Sequence, residues 1–230
     1  MAIPKIEVEE LKREVRIALS ENENVSQLLV DDGSLDDKLQ LGRDALIDSL
    51  ITKAIDKVNT LAPIAMVACL AEELNDAEWL FDDKYCDYTY LPNDFLRFVS
   101  AKYDNWDKPV YNPIDQDSEL YQWQRSDFAS IRASKKRPVV AIVPDNFNGG
   151  LRAELFPKDE DADSPSFKYI KQAVIEHDDE DGLDIVAMSP TCKNAVVYTI
   201  ASLYYITINE PEMGQRMAAE AAEEMGLTSK

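Results

Sequence analysis

The stretch YTYLPNDFLR, residues 88–97, combines the features of a helix start in a short space. If Pro92 takes the first helical position, its missing N–H costs nothing, because that group has no partner within a helix anyway. Asp94 then falls at the third position, where its carboxylate complements the positive end of the helix dipole. Tyr90 and Phe95 stand where a hydrophobic staple forms. This pattern predicts that a helix begins at Pro92.

The residues that follow continue the helical pattern. Phe95, Phe98, Val99 and Lys102 recur at three- and four-residue steps, while Arg97 projects from another side. We therefore expect this helix to pack into the core and Arg97 to be available to a neighbouring molecule. The residues expected to fix the helical core are Leu91, Pro92, Asp94, Phe95 and Leu96.

Three further segments have helical periodicity. Residues 8–19 and 46–61 each carry an amphipathic stripe, and a second short piece begins at Val25. After Pro63, residues 64–74 are apolar almost all round, which predicts a helix buried centrally or against another subunit. Asp31-Asp32-Gly33-Ser34 is a turn signal between the first two stripes.

Between residues 107 and 188 the period changes. Short runs rich in β-forming residues alternate with clusters of Pro, Gly, Asn and Asp; they are 109–111, 138–143, 151–156 and 167–175. Asn146-Phe147-Asn148-Gly149-Gly150 reads as the connection of a β-hairpin. The sequence predicts a small antiparallel β subdomain here.

The last part returns to helix. Ser189 and Pro190 open one helix, and Asn209 is expected to cap another, with Glu212 three residues on and Gly226 at its end. Methionines line one side of the last helix, and they are either core or an adaptable contact surface. Together with Trp106, the possible interface residues are Met213, Met217 and Met225.

These patterns predict a mainly α protein, a helical bundle with an inserted small antiparallel β subdomain (α+β). The expected division is 1–106 for the N-terminal helical part, 107–188 for the β-rich insertion and 189–230 for the helices that complete the bundle. A chain of 230 residues with 45% hydrophobic residues can bury a substantial core in this way.

Several of these segments resemble one family. The phrase Y-L-P-x-D-F-L-R, the segment Trp106-Asp107-Lys108-Pro109-Val110, the run 137–144 and the helix opened by Ser189-Pro190 resemble the head-to-tail adaptor proteins of short-tailed bacteriophages. Within that family the chain looks most like the ring proteins of crAss-like phages. The resemblance covers roughly residues 47–226, and it departs from the family in the long N-terminal extension and the acidic loops.

The resemblance implies a non-enzymatic virion protein. It implies a homo-oligomeric ring of twelve copies that joins the portal protein to neighbouring tail or ring proteins and keeps the DNA channel continuous. Such a protein is made in the host cytoplasm and resides at the portal-tail vertex of the virion. The resemblance implies neither a cofactor nor a catalytic residue.

Charge limits the possible partners. The chain has 44 acidic and 24 basic residues and a formal charge of −20, so it is not expected to bind nucleic acid sequence-specifically. In a ring around DNA, an acidic wall would repel phosphates and ease their passage. The same charge allows an alternative, an acidic soluble interaction protein or nucleic-acid mimic that binds a basic partner.

Few residues suggest catalysis or metal binding. His177 is the only histidine, and Cys69, Cys86 and Cys192 are isolated, so a triad, a disulfide framework and a clustered zinc site are not expected. A carboxylate-metal hydrolase remains a less favoured alternative, using Glu176, Asp178, Asp179 and Asp181; the acidic loop 158–163 is similar. No signal peptide or membrane-spanning segment is expected, which predicts folding in a reducing cytoplasm.

Overall fold

A computed structural model describes residues 3–20, 33–75, 78–80, 84–145, 150–158, 165–179 and 181–227, without the side chains of residues 20 and 33–41. The predicted piece at Val25, residues 31–32 of the predicted turn, residues 146–149 of the hairpin connection and residues 159–163 of the acidic loop lie outside these ranges. Gly33 and Ser34, which were predicted to belong to that turn, are helical. The elements are, in chain order, β1 (Lys5–Glu7), α1 (Val8–Ser20), α2 (Gly33–Leu61), α3 (Ile64–Val67), β2 (Glu72–Glu73), β3 (Asp87–Tyr90), β4 (Phe95–Lys102), α4 (Glu119–Gln124), β5 (Val139–Pro144), β6 (Leu151–Phe156), β7 (Ser166–Lys171), β8 (Ile175–Asp178), β9 (Leu183–Ala187), α5 (Lys193–Thr207) and α6 (Pro211–Glu224).

The structure is 41% helical and 26% strand, with three antiparallel sheets, so the protein belongs to the α+β class. The prediction of a mainly α helical bundle with a small β insertion is therefore wrong. The β content was underestimated because residues predicted to be helical form two strands, β2 and β4, of one sheet.

The chain divides into two compact units, Met1–Leu70 with Gln172–Lys230, and Ala71–Lys171. The units are defined by contacts between residues, which do not test where an inserted domain begins and ends. The predicted limits of the insertion, at residues 107 and 188, therefore stay a prediction.

The first unit is built around α5, which packs against α6, α2 and α1. The apolar stripes of α1 and α2 predicted from the sequence are confirmed except at Leu61, which is 48% exposed at the end of α2. The buried members are Val8, Leu11, Val15, Ala18, Leu19, Ile47, Leu50, Ile51, Ala54, Ile55 and Val58. Ion pairs join the helices at their edges, including a two-pronged contact of Arg16 with Asp44 at 2.9 and 3.0 Å. A three-stranded sheet in the order β1-β9-β8 completes this unit.

The end of α5 corrects the predicted role of Asn209. This residue has a φ of 66°, and the following Glu210 N–H donates to the Tyr205 carbonyl at 2.8 Å. A residue in the left-handed region with this hydrogen bond terminates the preceding helix. Asn209 therefore ends α5, and Pro211 begins α6 with Glu210 before it.

The second unit holds two three-stranded antiparallel sheets, in the orders β2-β7-β4 and β3-β6-β5. The predicted hairpin is confirmed in its strands, because β5 pairs with β6 from Val139 opposite Phe156 to Pro144 opposite Leu151. The core between the sheets is aromatic, with Phe98, Tyr103, Trp106, Phe167 and Tyr169 buried in one cluster.

The predicted helix after Pro92 is a strand. The Phe95 N–H donates to the Pro92 carbonyl at 3.0 Å in a turn, and residues 95–102 then pair with β7. The pairing is irregular between Phe95 and Arg97 and again between Phe98 and Ser100. Each irregularity interrupts the two-residue alternation of a strand, so the apolar residues fall at intervals that imitate a helix.

The predicted helix over residues 64–74 is also corrected. Helix α3 covers four residues, a 3-10 turn follows at Ala68–Leu70, and Glu72 already lies in β2. Ala65, Ala68 and Cys69 are exposed, so the segment is not buried on all sides. Of the helices in the described ranges, none is long and apolar enough to cross a membrane.

Candidate protein-interaction site

A cleft of about 290 Å³ in the second unit gathers basic and aromatic side chains. Its lining includes Lys84, Arg132 and Lys158, together with Tyr85 and Phe156. None of the described residues that line this cleft is acidic, although acidic residues outnumber basic ones 44 to 24 in the chain. We call this feature the cationic cleft.

Tyr85 is the centre of the cationic cleft. The ammonium group of Lys84 lies 4.7 Å from the centroid of its ring, and the Arg132 guanidinium lies 5.6 Å from it. Two cations near one aromatic ring are each attracted by its quadrupole, which partly offsets their mutual repulsion. The ring therefore helps to hold both cations close to each other in the lining of the cleft.

Asp127 supports this arrangement from beside the cleft. Lys84 Nζ donates to Asp127 Oδ1 at 2.7 Å, and the Tyr85 hydroxyl donates to the same oxygen at 2.9 Å. The hydrogen bond from Lys84 is the main cause that lowers the pKa of Asp127, and the hydrogen bond to Asp127 raises the pKa of Lys84. Both groups are thus charged at neutral pH, and both are solvent-exposed.

The wall of the cleft is formed by α4 and the loop that follows it. The Gln124 side chain is buried; its Nε2 donates to the Leu120 carbonyl at 3.0 Å, and its Oε1 accepts from the Ala133 N–H at 2.6 Å. One amide therefore ties the end of α4 to residue 133. This link fixes the position of the neighbouring Arg132.

Below α4 lies a buried ionic group. Glu154 has no exposed surface, and its Oε2 accepts from Arg125 Nη2 at 2.8 Å. Arg152 Nη2 lies 2.5 Å from Oε1, close enough for an ion pair but without hydrogen-bond alignment. Burial, and then the charge of Glu154, raise the pKa of Tyr121, whose hydroxyl accepts from Arg125 Nε at 3.2 Å. The group anchors α4 and the start of its loop on β6.

Large apolar side chains are exposed along the same segment. Phe128 is 74% exposed, and Leu120, Trp123 and Ile131 are each more than 40% exposed. These four residues, which we call the apolar rim, occur within twelve positions of the chain, next to the residues that line the cationic cleft. Clustered aromatic and aliphatic side chains beside arginine are typical of protein interfaces.

The sequence-predicted motif lies elsewhere in the second unit. Leu91 is buried, Pro92 lies in the turn, and Leu96 and Arg97 are half-buried in β4, where burial lowers the pKa of Arg97. Phe95 stacks on Tyr169 with 5.8 Å between ring centroids. The Oδ1 atom of Asp94 is buried and has no hydrogen-bond partner among the described residues. The motif is brought together as a turn and a strand start, not as a helix cap.

The possible interface residues are mostly internal. Trp106 is 2% exposed and packs edge-on against Tyr103 at 5.2 Å, so it belongs to the core of the second unit. Met217 and Met225 are buried, and Met213 is half-buried. The core interpretation of the methionine stripe fits these positions.

Among the acidic residues of the hydrolase alternative, Glu176 forms an exposed ion pair. Glu176 accepts from Lys5 at 2.6 Å, and His177 Nδ1 lies 2.9 Å from Asp184 across the β8–β9 pair. Within the described ranges, no group of three or more His, Cys, Asp or Glu residues is arranged to hold a metal ion.

Sequence reasoning missed the cationic cleft. Lys84 and Arg132 are 48 positions apart by their numbers, so no spacing rule links them. One signal was present in the sequence, the high density of aromatic residues from Tyr85 to Trp123. No protein-family model matches the chain, and no curated protein is significantly similar to it in sequence.

Proposed function

We propose that this chain is a non-enzymatic structural protein of a virion, a head-to-tail adaptor whose copies form a ring between portal and tail around the DNA channel. The observation that carries the proposal is the apolar rim beside the cationic cleft. A side chain such as Phe128, 74% exposed, is costly in water and is accounted for when another protein covers it. The sequence resemblance supplies the kind of assembly, a ring of twelve copies at the portal-tail vertex.

Two features of the chain support a ring. A ring of identical subunits closes through contacts between two different patches on each copy, so the chain must carry a pair of complementary surfaces. The second unit presents a basic and apolar patch, while the net charge of −20 shows that most of the chain's charge is negative. The same negative charge suits a channel through which DNA must pass without adhering.

The test is to mix the purified chain with its cognate portal protein and count copies per portal by electron microscopy. A closed ring stacked on the portal is the expected result. Failure of the chain to join the portal, together with a stable monomer, would overturn the proposal. Salt-sensitive binding of that monomer to a basic protein would instead favour the acidic mimic.

One variant tests the surface that carries the proposal. Phe128→Ser removes the most exposed side chain of the apolar rim. It should lower the number of copies per portal, because each contact between neighbouring copies then buries less apolar surface. Val174→Ser is the matched control, since Val174 is 61% exposed and lies in the other unit. Equal ring occupancy for both variants and the wild type would contradict the role of the apolar rim.

A further inference from the structure

The end of α6 carries an unusual charge arrangement. Glu220, Glu223 and Glu224 are exposed in its last two turns, and its last turn has no basic residue. The carboxyl end of a helix bears partial negative charge, so carboxylates there are unfavourable for its stability. A charge arrangement that lowers the stability of its own helix, with no basic residue in the last turn to offset it, is typical of a functional site.

The end of α6 is also firmly built. Gly226 has a φ of 67°, its N–H donates to the Glu223 carbonyl at 2.8 Å, and the Leu227 N–H donates to the Ala222 carbonyl at 2.9 Å. Met225 is buried below. The three carboxylates are therefore displayed on a rigid support, which lowers the entropy that a partner must remove to bind them.

We propose that this acidic end of α6 docks into the cationic cleft of a neighbouring copy, with Glu220, Glu223 and Glu224 facing Lys84 and Arg132. This inference rests on the proposed ring and names the contact that closes it. The two cations of the cleft neutralise the glutamate carboxylates, which the dipole of their own helix repels. Tyr85 and Phe128 supply apolar surface beside these ion pairs. A cleft of about 290 Å³ admits side chains and leaves the helix backbone outside.

A copy of the same chain is the occupant that the charges favour. Arginine and lysine also bind phosphates, but a nucleic acid reaching the cleft would meet a protein of net charge −20. A second copy brings exposed carboxylates at a high local concentration once both copies stand on one portal. Because the cleft and the end of α6 are different surfaces, the contact is head-to-tail and can repeat around a ring.

Charge reversal tests the pairing in the full chain. The cleft variant is Lys84→Glu with Arg132→Glu, and the helix variant is Glu220→Arg with Glu223→Arg. Each should lower the number of copies per portal and weaken self-association about tenfold or more, because like charges then face each other. The combined variant, with both surfaces reversed, should recover most of the loss, which a general effect on folding would not produce.

Matched controls make the same charge changes away from the contact. Lys136→Glu with Lys168→Glu alters exposed positions of the second unit, and Glu210→Arg with Glu212→Arg alters the other end of α6. Both controls should assemble like the wild type. Thermal unfolding of every variant identifies any that fails to fold.

The outcomes separate this inference from the proposed function. Rings that form equally with the wild type and the cleft variant would overturn the pairing and leave the adaptor proposal standing. If the wild type forms no ring on the portal, the adaptor proposal fails, and sedimentation at ~0.1 M salt then decides the pairing alone. Self-association lost in each reversed variant and regained in the combined one would support the pairing, whereas a wild-type monomer at all concentrations would overturn it.

Discussion

Glu154 is a fully buried carboxylate shared by two arginines. Taking a charge out of water is costly, and part of the cost is offset here by Arg125 and Arg152, each of which lies within ion-pair distance of one carboxylate oxygen. Both arginines keep about a quarter of their side-chain surface exposed, so the arginines remain partly hydrated while Glu154 does not. Through Arg125, this carboxylate helps to fix the position of α4 and with it the wall of the cationic cleft.

Glu154→Gln should therefore destabilise the protein by about 2–3 kcal/mol, because two guanidinium groups would face each other without the anion between them. The measurement is the free energy of unfolding from urea denaturation. Glu176→Gln is the control, since it removes an exposed partner of Lys5 and should leave the stability unchanged. A Glu154→Gln protein as stable as the wild type would show that the buried charge is dispensable.

Individual residues show what the sequence could and could not predict. The buried stripe of α1 follows from spacing alone, because each member is a neighbour of the next on one helix face. The grouping of Lys84, Arg132 and Tyr85 depends on how distant segments meet, and no local pattern encodes that. Asp94 shows the opposite case. It fits the pattern of a helix start, but no helix forms there, and its buried Oδ1 atom has no hydrogen-bond partner among the described residues.

At the scale of elements, the strand β4 shows why a strong local signal failed. Pro92 and Asp94 fit a helix start, yet Phe95, Phe98 and Val99 are also residues that favour strands. Pairing with β7 and packing into the aromatic core decide between the two, and both are non-local. By contrast, the β5–β6 hairpin was predictable because its two strands are close in sequence and separated by turn residues.

Helix α6 provides a prediction about isolated molecules. Glu223→Lys replaces an anion with a cation at the negative end of the helix dipole and should raise the free energy of unfolding by about 0.3–1 kcal/mol. Glu212→Lys makes the same change in the first turn, where the dipole favours acids, and should lower it by a similar amount. Thermal unfolding of both variants measures the difference. A Glu223→Lys protein that is less stable than the wild type would contradict the inference that the carboxylates at the end of α6 bind a partner and destabilise their own helix.

At the scale of the whole molecule, net charge and local charge act in opposite directions. Copies that each carry −20 repel one another over roughly the Debye length, which is about 30 Å at 0.01 M salt and about 10 Å at 0.1 M. The proposed pairs between α6 and the cationic cleft act at contact distance, where screening is weaker. The balance between the two therefore changes with salt concentration.

The division into two units adds to this picture. The sequence predicted a composition change along the chain, but the units are grouped by contacts between distant residues such as Ala173, whose N–H donates to Asp56 in α2 at 2.7 Å. Periodicity identifies the elements and charge counting gives the net charge. Neither indicates that a locally basic surface lies within an acidic chain, because that depends on which loops the fold brings together.

Self-association should consequently pass through a maximum as salt rises. Between about 0.01 and 0.1 M, screening of the long-range repulsion should strengthen it, and above about 0.5 M screening of the contact pairs should weaken it. Self-association of the cleft variant should still rise at low salt but should not fall at high salt. This variant retains the long-range repulsion between copies but has lost the ion pairs at the contact. The combined variant should show both the rise and the fall again. Lys136→Glu with Lys168→Glu, whose net charge equals that of the cleft variant, should also show both, because its contact pairs are intact. Sedimentation velocity across this range measures the profile, and identical profiles for the wild type and the cleft variant would show that the cationic cleft does not take part in association.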